Sequence, residues 1–239
     1  MPNLRHRHLQ PEIMDEPGLD AGQHHQALND LARVNWISNS AKILWPPIRD
    51  LALERRNAGD TRPVRVLDIA TGGGDVPSRL WLRARRRGIP LEVAGCDFSP
   101  LAVEHARQTA AHLQAIVTFF SLNVLAEPIP TGYDVVMCSL FLHHLNDEQA
   151  VTVLGKMREA AGSLALVNDL ARNRPGWWAA YIGTRLLSRS PVVHFDGPVS
   201  VEGAYTQAEA LALAHKAGWS GARVARRFPF RYLLSWRRR

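Results

Sequence analysis

Val66-Leu-Asp-Ile-Ala-Thr-Gly-Gly-Gly-Asp75 is the stretch that decides how this chain reads. An apolar run of Val64, Val66, Leu67 and Ile69 carries Asp68 near its end, then breaks into Gly72, Gly73 and Gly74 before a helix-compatible segment. Strand, glycine-rich turn and helix is the geometry in which backbone passes close to a cofactor, because glycine has no Cβ in the way. Glycines also close tight strand–helix turns with nothing bound, so the flanking chain has to supply the context.

Outward from that turn, strands alternate with helices. Asp75 is placed to cap a helix with Pro77 in its first turn, running to about Arg87 and stopping at Gly88. Leu91 to Cys96 reads as a second strand ending at Asp97, and Ser99-Pro100 opens a second helix. A third strand from Ile116 to Phe120 leads to Asn123, a fourth runs from Asp134 to Leu140, and a helix from Asp147 to Ala161 precedes a fifth strand, Leu164 to Val167, ending at Asn168-Asp169. Thr206 caps a helix from Gln207 to Lys216. Two last strands, Ala222 to Phe228 and Phe230 to Trp236, are separated only by Pro229 and suggest an antiparallel addition at the sheet edge. This order predicts an α/β, doubly wound, Rossmann-like sheet of seven mostly parallel strands with a reversed last strand.

Three segments flank this frame. Residues 1–20, with Pro2, Pro11, Pro17 and Gly18 and no periodicity, read as a mobile arm. Residues 21–60 show helical spacing (Leu28, Leu31, Val34, Ile37, then Ile43, Leu44, Ile48, Leu51), which Pro46-Pro47 should kink or split. Asn35 and Ser38 beside that stripe are either caps and satisfied core groups or the ligand-facing polar groups of a helical lid. The main domain is expected over 61–239, with 171–205 inserted as a cap rich in Trp177, Trp178 and Tyr181, followed by a loop from Pro191 to Pro198 that holds His194 and Asp196.

Composition narrows the classes. With 239 residues, 46% hydrophobic and 21% charged, the chain is of ordinary globular type, and no apolar stretch is long enough to span a bilayer. Cys96 and Cys138 lack CxxC or metal-ligand spacing, which points to reduced, buried thiols and a cytoplasmic protein. The net charge of +7 is almost all arginine and is spread along the chain, so solvated faces are favoured over a nucleic-acid footprint. His6, His8, His24 and His25 have no acidic or cysteine partners in sequence, and no metal is expected.

Ligands of an open parallel sheet bind outside the carboxyl ends of its strands. There the sequence places Asp68 and the glycines, Asp97, Asn123, His143-His144, and Asn168-Asp169. Together with Gly95-Cys-Asp-Phe-Ser-Pro100, Tyr133-Asp-Val-Val-Met137 and Leu142-His-His-Leu145, this pattern resembles the class I S-adenosylmethionine-dependent methyltransferases over about residues 62 to 236. The contiguous glycines do not fit the Gly-x-Gly-x-x-Gly spacing of a dehydrogenase. The Asp-Ile-Ala-Thr-Gly-Gly-Gly-Asp version looks like that of quinone-biosynthesis C-methyltransferases, and the helix with Asn29-Asp30, Asn35, Ser38 and Trp45 resembles their amino-terminal substrate helix. His143-His144 looks more like small-molecule O-methyltransferases, so O-, C- and N-transfer all stay open.

The resemblance implies a set of roles. Backbone at Ala70, Thr71, Gly72 and Gly74 would approach the methionine part of S-adenosylmethionine, and Asp68 would organise the loop or face the amino group. Asp97 would take the ribose hydroxyls, Phe98 would pack on adenine, and Asn123 with Val124 would meet the adenine edge, asparagine standing where an acid is usual. Ser139 and Leu140 would flank the sulfonium. Asn35, Ser38, Asn168, Asp169, Trp178 and Tyr181 are candidates for contact with a small, apolar, aromatic acceptor. A phenol must lose its proton at or before transfer, which suits a histidine base. His143 or His144 is the first candidate, and His194 with Asp196 the second. An RNA methyltransferase, a non-catalytic S-adenosylmethionine-binding protein and peripheral membrane contact are the alternatives carried forward.

Overall fold

The computed structural model describes residues 2–13 and 40–238. Asn35 and Ser38, with residues 21–39 of the expected lid, lie outside the described residues, as do Asn29, Asp30, His24 and His25. The described elements are α1 (Ser40–Asn57), β1 (Val64–Ile69), α2 (Asp75–Arg85), β2 (Leu91–Asp97), α3 (Pro100–His112), β3 (Val117–Ser121) and β4 (Tyr133–Ser139). They continue through α4 (Asp147–Ala160), β5 (Ala161–Leu170), α5 (Arg174–Leu187), α6 (Pro191–Gly203), α7 (Gln207–Lys216), β6 (Arg223–Arg227) and β7 (Arg231–Arg237).

The strands form one seven-stranded sheet in the order β3-β2-β1-β4-β5-β7-β6. All pairings are parallel except those of β7, which runs antiparallel to both β5 and β6. The expected doubly wound sheet with a reversed last strand is therefore present. Alternation along the strands divides the core. Val66, Val135, Met137 and Leu166 join α1 and α2 on one face, whereas Leu67, Ile69, Val136, Cys138, Ala165 and Val167 join α4 and α7 on the other. A period of two sends neighbouring residues to opposite faces, and a parallel sheet must be covered on both.

Four local readings differ from the sequence-based ones. Asp75 is the first helical residue of α2 rather than its cap; Gly74 caps it, at φ 71°. Pro46 and Pro47 sit inside α1 without splitting it, because Ile43, Leu44, Trp45, Ile48 and Leu51 are all buried against the sheet. Residues 40–57 thus contribute a layer of the core. The segment from Pro191 is a helix, not a loop, since Pro191 occupies the first turn where its missing N–H costs nothing. Residues 2–13, read as a mobile arm, lie against the domain: Arg7 Nε donates to the Gly203 carbonyl at 2.6 Å, and its Nη2 to those of His143 at 2.9 Å and Leu145 at 2.5 Å.

Candidate active site

The glycine turn leaves β1 through Ala70, which takes a left-handed φ of 50°, and continues through Gly72 at φ 53°. Thr71 N–H donates to the Cys96 carbonyl at 3.0 Å, and Gly72 N–H donates to Asp97 Oδ2 at 2.9 Å. The other Asp97 oxygen accepts from Ser99 N–H at 3.0 Å. A Cβ at Gly74 would meet Ala106 Cβ at 2.7 Å and Phe119 at 2.9 Å, so α2 leaves the turn tight against α3 and β3. A Cβ at Gly72 would meet nothing within 4 Å, which leaves its outer side open to a ligand.

Asp68 is buried beneath this turn. Its Oδ2 accepts from Thr71 Oγ1 at 2.8 Å, whereas its Oδ1 has no hydrogen-bond partner. Burial pushes its carboxyl up to about 8, with Asp75 and Asp97 adding to the rise against the Thr71 hydrogen bond. An orphaned buried acceptor under an open glycine turn is a place for a cation or donor from a ligand. The residues at this end of β1 and β2 therefore fit the amino and ribose groups expected of S-adenosylmethionine.

Farther along the same rim, Phe98 is 66% exposed, an uncovered aromatic face beside Asp97. Asn123 is turned partly inward on its own loop: its side-chain carbonyl accepts from Leu125 N–H at 3.0 Å and Ala126 N–H at 3.4 Å. An adenine edge would then meet its amide NH2 rather than the carbonyl. Val124 is a core residue. Beyond β4, Ser139 Oγ accepts from Asn168 Nδ2 at 2.8 Å, and Leu140, at φ 57°, donates its N–H to the Asn168 carbonyl at 2.9 Å. Ala70 and Leu140 follow neighbouring paired strands, so two non-glycine residues in left-handed conformation stand on the β1–β4 rim.

A short 3-10 turn, Leu142–His144, presents the histidine pair. His143 is buried; its Nδ1 lies 2.6 Å from Asp169 Oδ1, and its N–H donates to Asp169 Oδ2 at 3.1 Å. Its Nε2 lies 3.5 Å from Glu12 Oε1. Burial alone would lower the imidazole, yet Asp169 and Glu12 overcome it and carry it to about 10. The two carboxylates thus favour the imidazolium form of His143. The His144 ring lies 4.2 Å from that of His143, with its side chain 22% exposed, and its Nδ1 is 3.9 Å from the same Glu12 oxygen. Asn168 and Asp169 are fully buried, so they support Ser139 and His143 from beneath instead of contacting an acceptor directly.

His194 does not join this cluster through Asp196. Its Nε2 bonds the Ser188 carbonyl at 2.8 Å, and Asp196 Oδ1 accepts from Ile13 N–H at 2.9 Å. Trp177, Trp178 and Tyr181 form one aromatic group on α5, with Trp177 stacked on Tyr181 at 5.3 Å and Trp178 edge-on to it at 5.9 Å. Trp178 is 42% exposed, a surface that an apolar ligand could cover. Glu12 and Arg7 were not legible as site residues: each meets the histidine turn from a distant part of the chain, and neither sits in a recognisable motif.

Residues 66–162 match a methyltransferase domain family. A demethylmenaquinone methyltransferase of Thermus thermophilus is 35% identical over 120 residues, covering 49% of this chain and 50% of the relative. A ubiquinone biosynthesis O-methyltransferase of Pseudomonas putida is 27% identical over 157 residues, covering 65% and 57%. The chain spans about half the length of these relatives. Among solved structures, human N-acetylserotonin methyltransferase in complex with S-adenosylmethionine superposes with a TM-score of 0.65 at 15% identity, covering 92% of this chain and 56% of that one. The apo methyltransferase SibL gives 0.65 at 21% identity, covering 98% and 64%.

Proposed function

From a chain that carries a class I S-adenosylmethionine-dependent methyltransferase domain and fold, we propose an enzyme that methylates a small, apolar, aromatic acceptor of the phenol or hydroxyquinone type. The observation that carries this reading is the shared rim. Asp68, the glycine turn and Asp97 stand at the ends of β1 and β2, and the histidine turn follows β4, which is paired with β1. S-adenosylmethionine, when bound, supplies an electrophilic methyl group.

The chain's own residues do the rest. Asp68 Oδ1 would pair with the cofactor's amino group, Asp97 would accept from the ribose hydroxyls, and Phe98 would cover the adenine. Trp178 and Tyr181 would form a wall for the acceptor ring, as apolar pockets with a few placed polar groups do. In-line transfer needs positioning more than covalent chemistry, so holding acceptor and cofactor on one rim supplies much of the rate. The acceptor's proton passes to His144, the more open imidazole, while His143 and Asp169 hold the turn that carries it. The similarity to a demethylmenaquinone methyltransferase and a ubiquinone biosynthesis O-methyltransferase supports an acceptor of this class.

The test is incubation of purified protein with methyl-labelled S-adenosylmethionine and, separately, a panel of phenols, hydroxyquinones and total RNA. Label on a phenol or hydroxyquinone is expected, with product analysis distinguishing O- from C-methylation. Label on RNA alone would replace this reading with an RNA methyltransferase. Cofactor binding without transfer to any acceptor in the panel would leave a cofactor-binding protein.

A further inference from the structure

We propose that Glu12, His143 and His144 form a binding site for one first-row divalent cation of the zinc type. One oxygen and two imidazole nitrogens of these residues lie within 4.8 Å of one another. Glu12 Oε1 is 3.5 Å from His143 Nε2 and 3.9 Å from His144 Nδ1. Zinc bonds of roughly 2.0–2.2 Å in a tetrahedron set neighbouring donors about 3.4 Å apart, a spacing to which both Glu12–histidine distances are close.

A second observation is the support given to two of the three ligands, His143 and Glu12. Asp169 grips His143 at both its backbone N–H and Nδ1, which leaves Nε2 as the nitrogen turned toward Glu12. A carboxylate behind a histidine is the arrangement that fixes ring orientation and raises basicity in metal sites. Glu12 is held in turn by Ser200 Oγ at 2.5 Å. Charge points the same way. Glu12 and Asp169 are two buried carboxylates, and a dication with two neutral imidazoles neutralises both. Two nitrogens and one oxygen, with no thiolate, suit zinc, cobalt, nickel or ferrous iron rather than magnesium or calcium. The partly exposed His144 side gives a way in, and three protein ligands leave a further position for an oxygen ligand.

The site stands whether or not the chain transfers methyl groups. With the cation bound both imidazoles are ligands, so proton acceptance by His144 belongs to the cation-free protein. The test is titration of the chelator-stripped full-length chain with zinc by calorimetry and with cobalt by visible absorption. One equivalent is expected to bind, with the absorption of a four-coordinate cobalt site. His144→Ala and Glu12→Gln should each weaken binding at least about 100-fold, and Asp169→Asn about 10- to 100-fold. His6→Ala/His8→Ala should bind as wild type. Should a ligand variant fail to fold, paramagnetic shifts in the wild-type cobalt protein must fall on two imidazoles and no more. No binding, unchanged affinity in folded His144→Ala and Glu12→Gln, or magnesium competing equally with zinc would each overturn the site.

Discussion

The backbone N–H of Gly72 donates to Asp97 Oδ2 at 2.9 Å, which ties the turn after β1 to the acid that ends β2. One carboxylate therefore shapes the glycine loop at the position proposed for the ribose. Asp97→Ala is expected to weaken S-adenosylhomocysteine binding by about 1.5–3 kcal/mol, the size of a lost charge-assisted hydrogen bond. Calorimetric titration of variant and wild type reads this directly, and equal affinities would remove Asp97 from the cofactor site.

Asp68 gives binding a pH signature. Burial, with Asp75 and Asp97 nearby, holds its carboxyl at about 8, so below that value it is protonated in the free protein. Pairing with a cofactor ammonium group needs the ionised form. Binding at about pH 6.5 should then release a proton and tighten as pH climbs toward 8, by linkage. Titration in buffers of different ionisation enthalpy counts that proton; no release at any pH would place the ammonium elsewhere.

The ion triad around His143 sets a stability optimum in chelator-treated protein. A raised imidazole contributes fully below its unfolded value of about 6.5, and its contribution declines as pH rises toward and through about 10. Glu12 works in the opposite sense. Burial opposes its ionisation, but His144 and His143 hold it at about 2, so its contribution is complete above about 4.5 and lost on acidification toward 2. Urea unfolding across pH should show a plateau between about 4.5 and 6.5, each limb falling by at most about 1.4 kcal/mol per pH unit per group. Glu12→Gln should flatten both limbs; unaltered limbs in that variant would mean other groups set them.

Arg7 joins three carbonyls of the histidine turn and α6, and its guanidinium lies 3.8 Å over the Tyr205 ring. Arg7→Ala should destabilise the fold by about 1.5–3 kcal/mol, because hydrogen bonds to a charged donor are lost and buried acceptors are left bare. Chemical denaturation measures the loss, and a change under about 0.5 kcal/mol would show that the arm is not held this way.

Proton acceptance has its own variant. His144→Ala should lower kcat for a phenolic acceptor by about 10²- to 10⁴-fold in chelator-treated protein, the range for a lost general base. His194→Ala, whose Nε2 is bonded to Ser188, should stay near wild type. The reverse ranking would move the base to α6.

What could be read from the residues alone was whatever local pattern controls. The glycine turn, the Ser99-Pro100 and Thr206 helix starts and the alternation of strands with helices followed from spacing, and these elements form where they were expected. Pro46-Pro47 misled because burial of Ile43, Trp45 and Ile48 against the sheet overrides a local helix breaker costing about 3 kcal/mol. Asp169 looked like an acceptor contact because its position past a strand was visible but its depth was not. Glu12 could not be found at all, since a contact between remote segments leaves no spacing to detect.

The placement of β7 bears on how the protein is made. Among the described strands it comes last in chain order, yet it lies between β5 and β6 rather than outside them. Until Arg231–Arg237 leaves the ribosome, the Leu164–Leu170 edge of β5 has no partner on that side. A nascent chain stalled before that point carries an open, largely apolar strand edge of the kind that recruits other strands. The sheet is sealed from inside by a strand made after both of its neighbours, so translation products truncated before Arg231 should be the aggregating species and a substrate for chaperones.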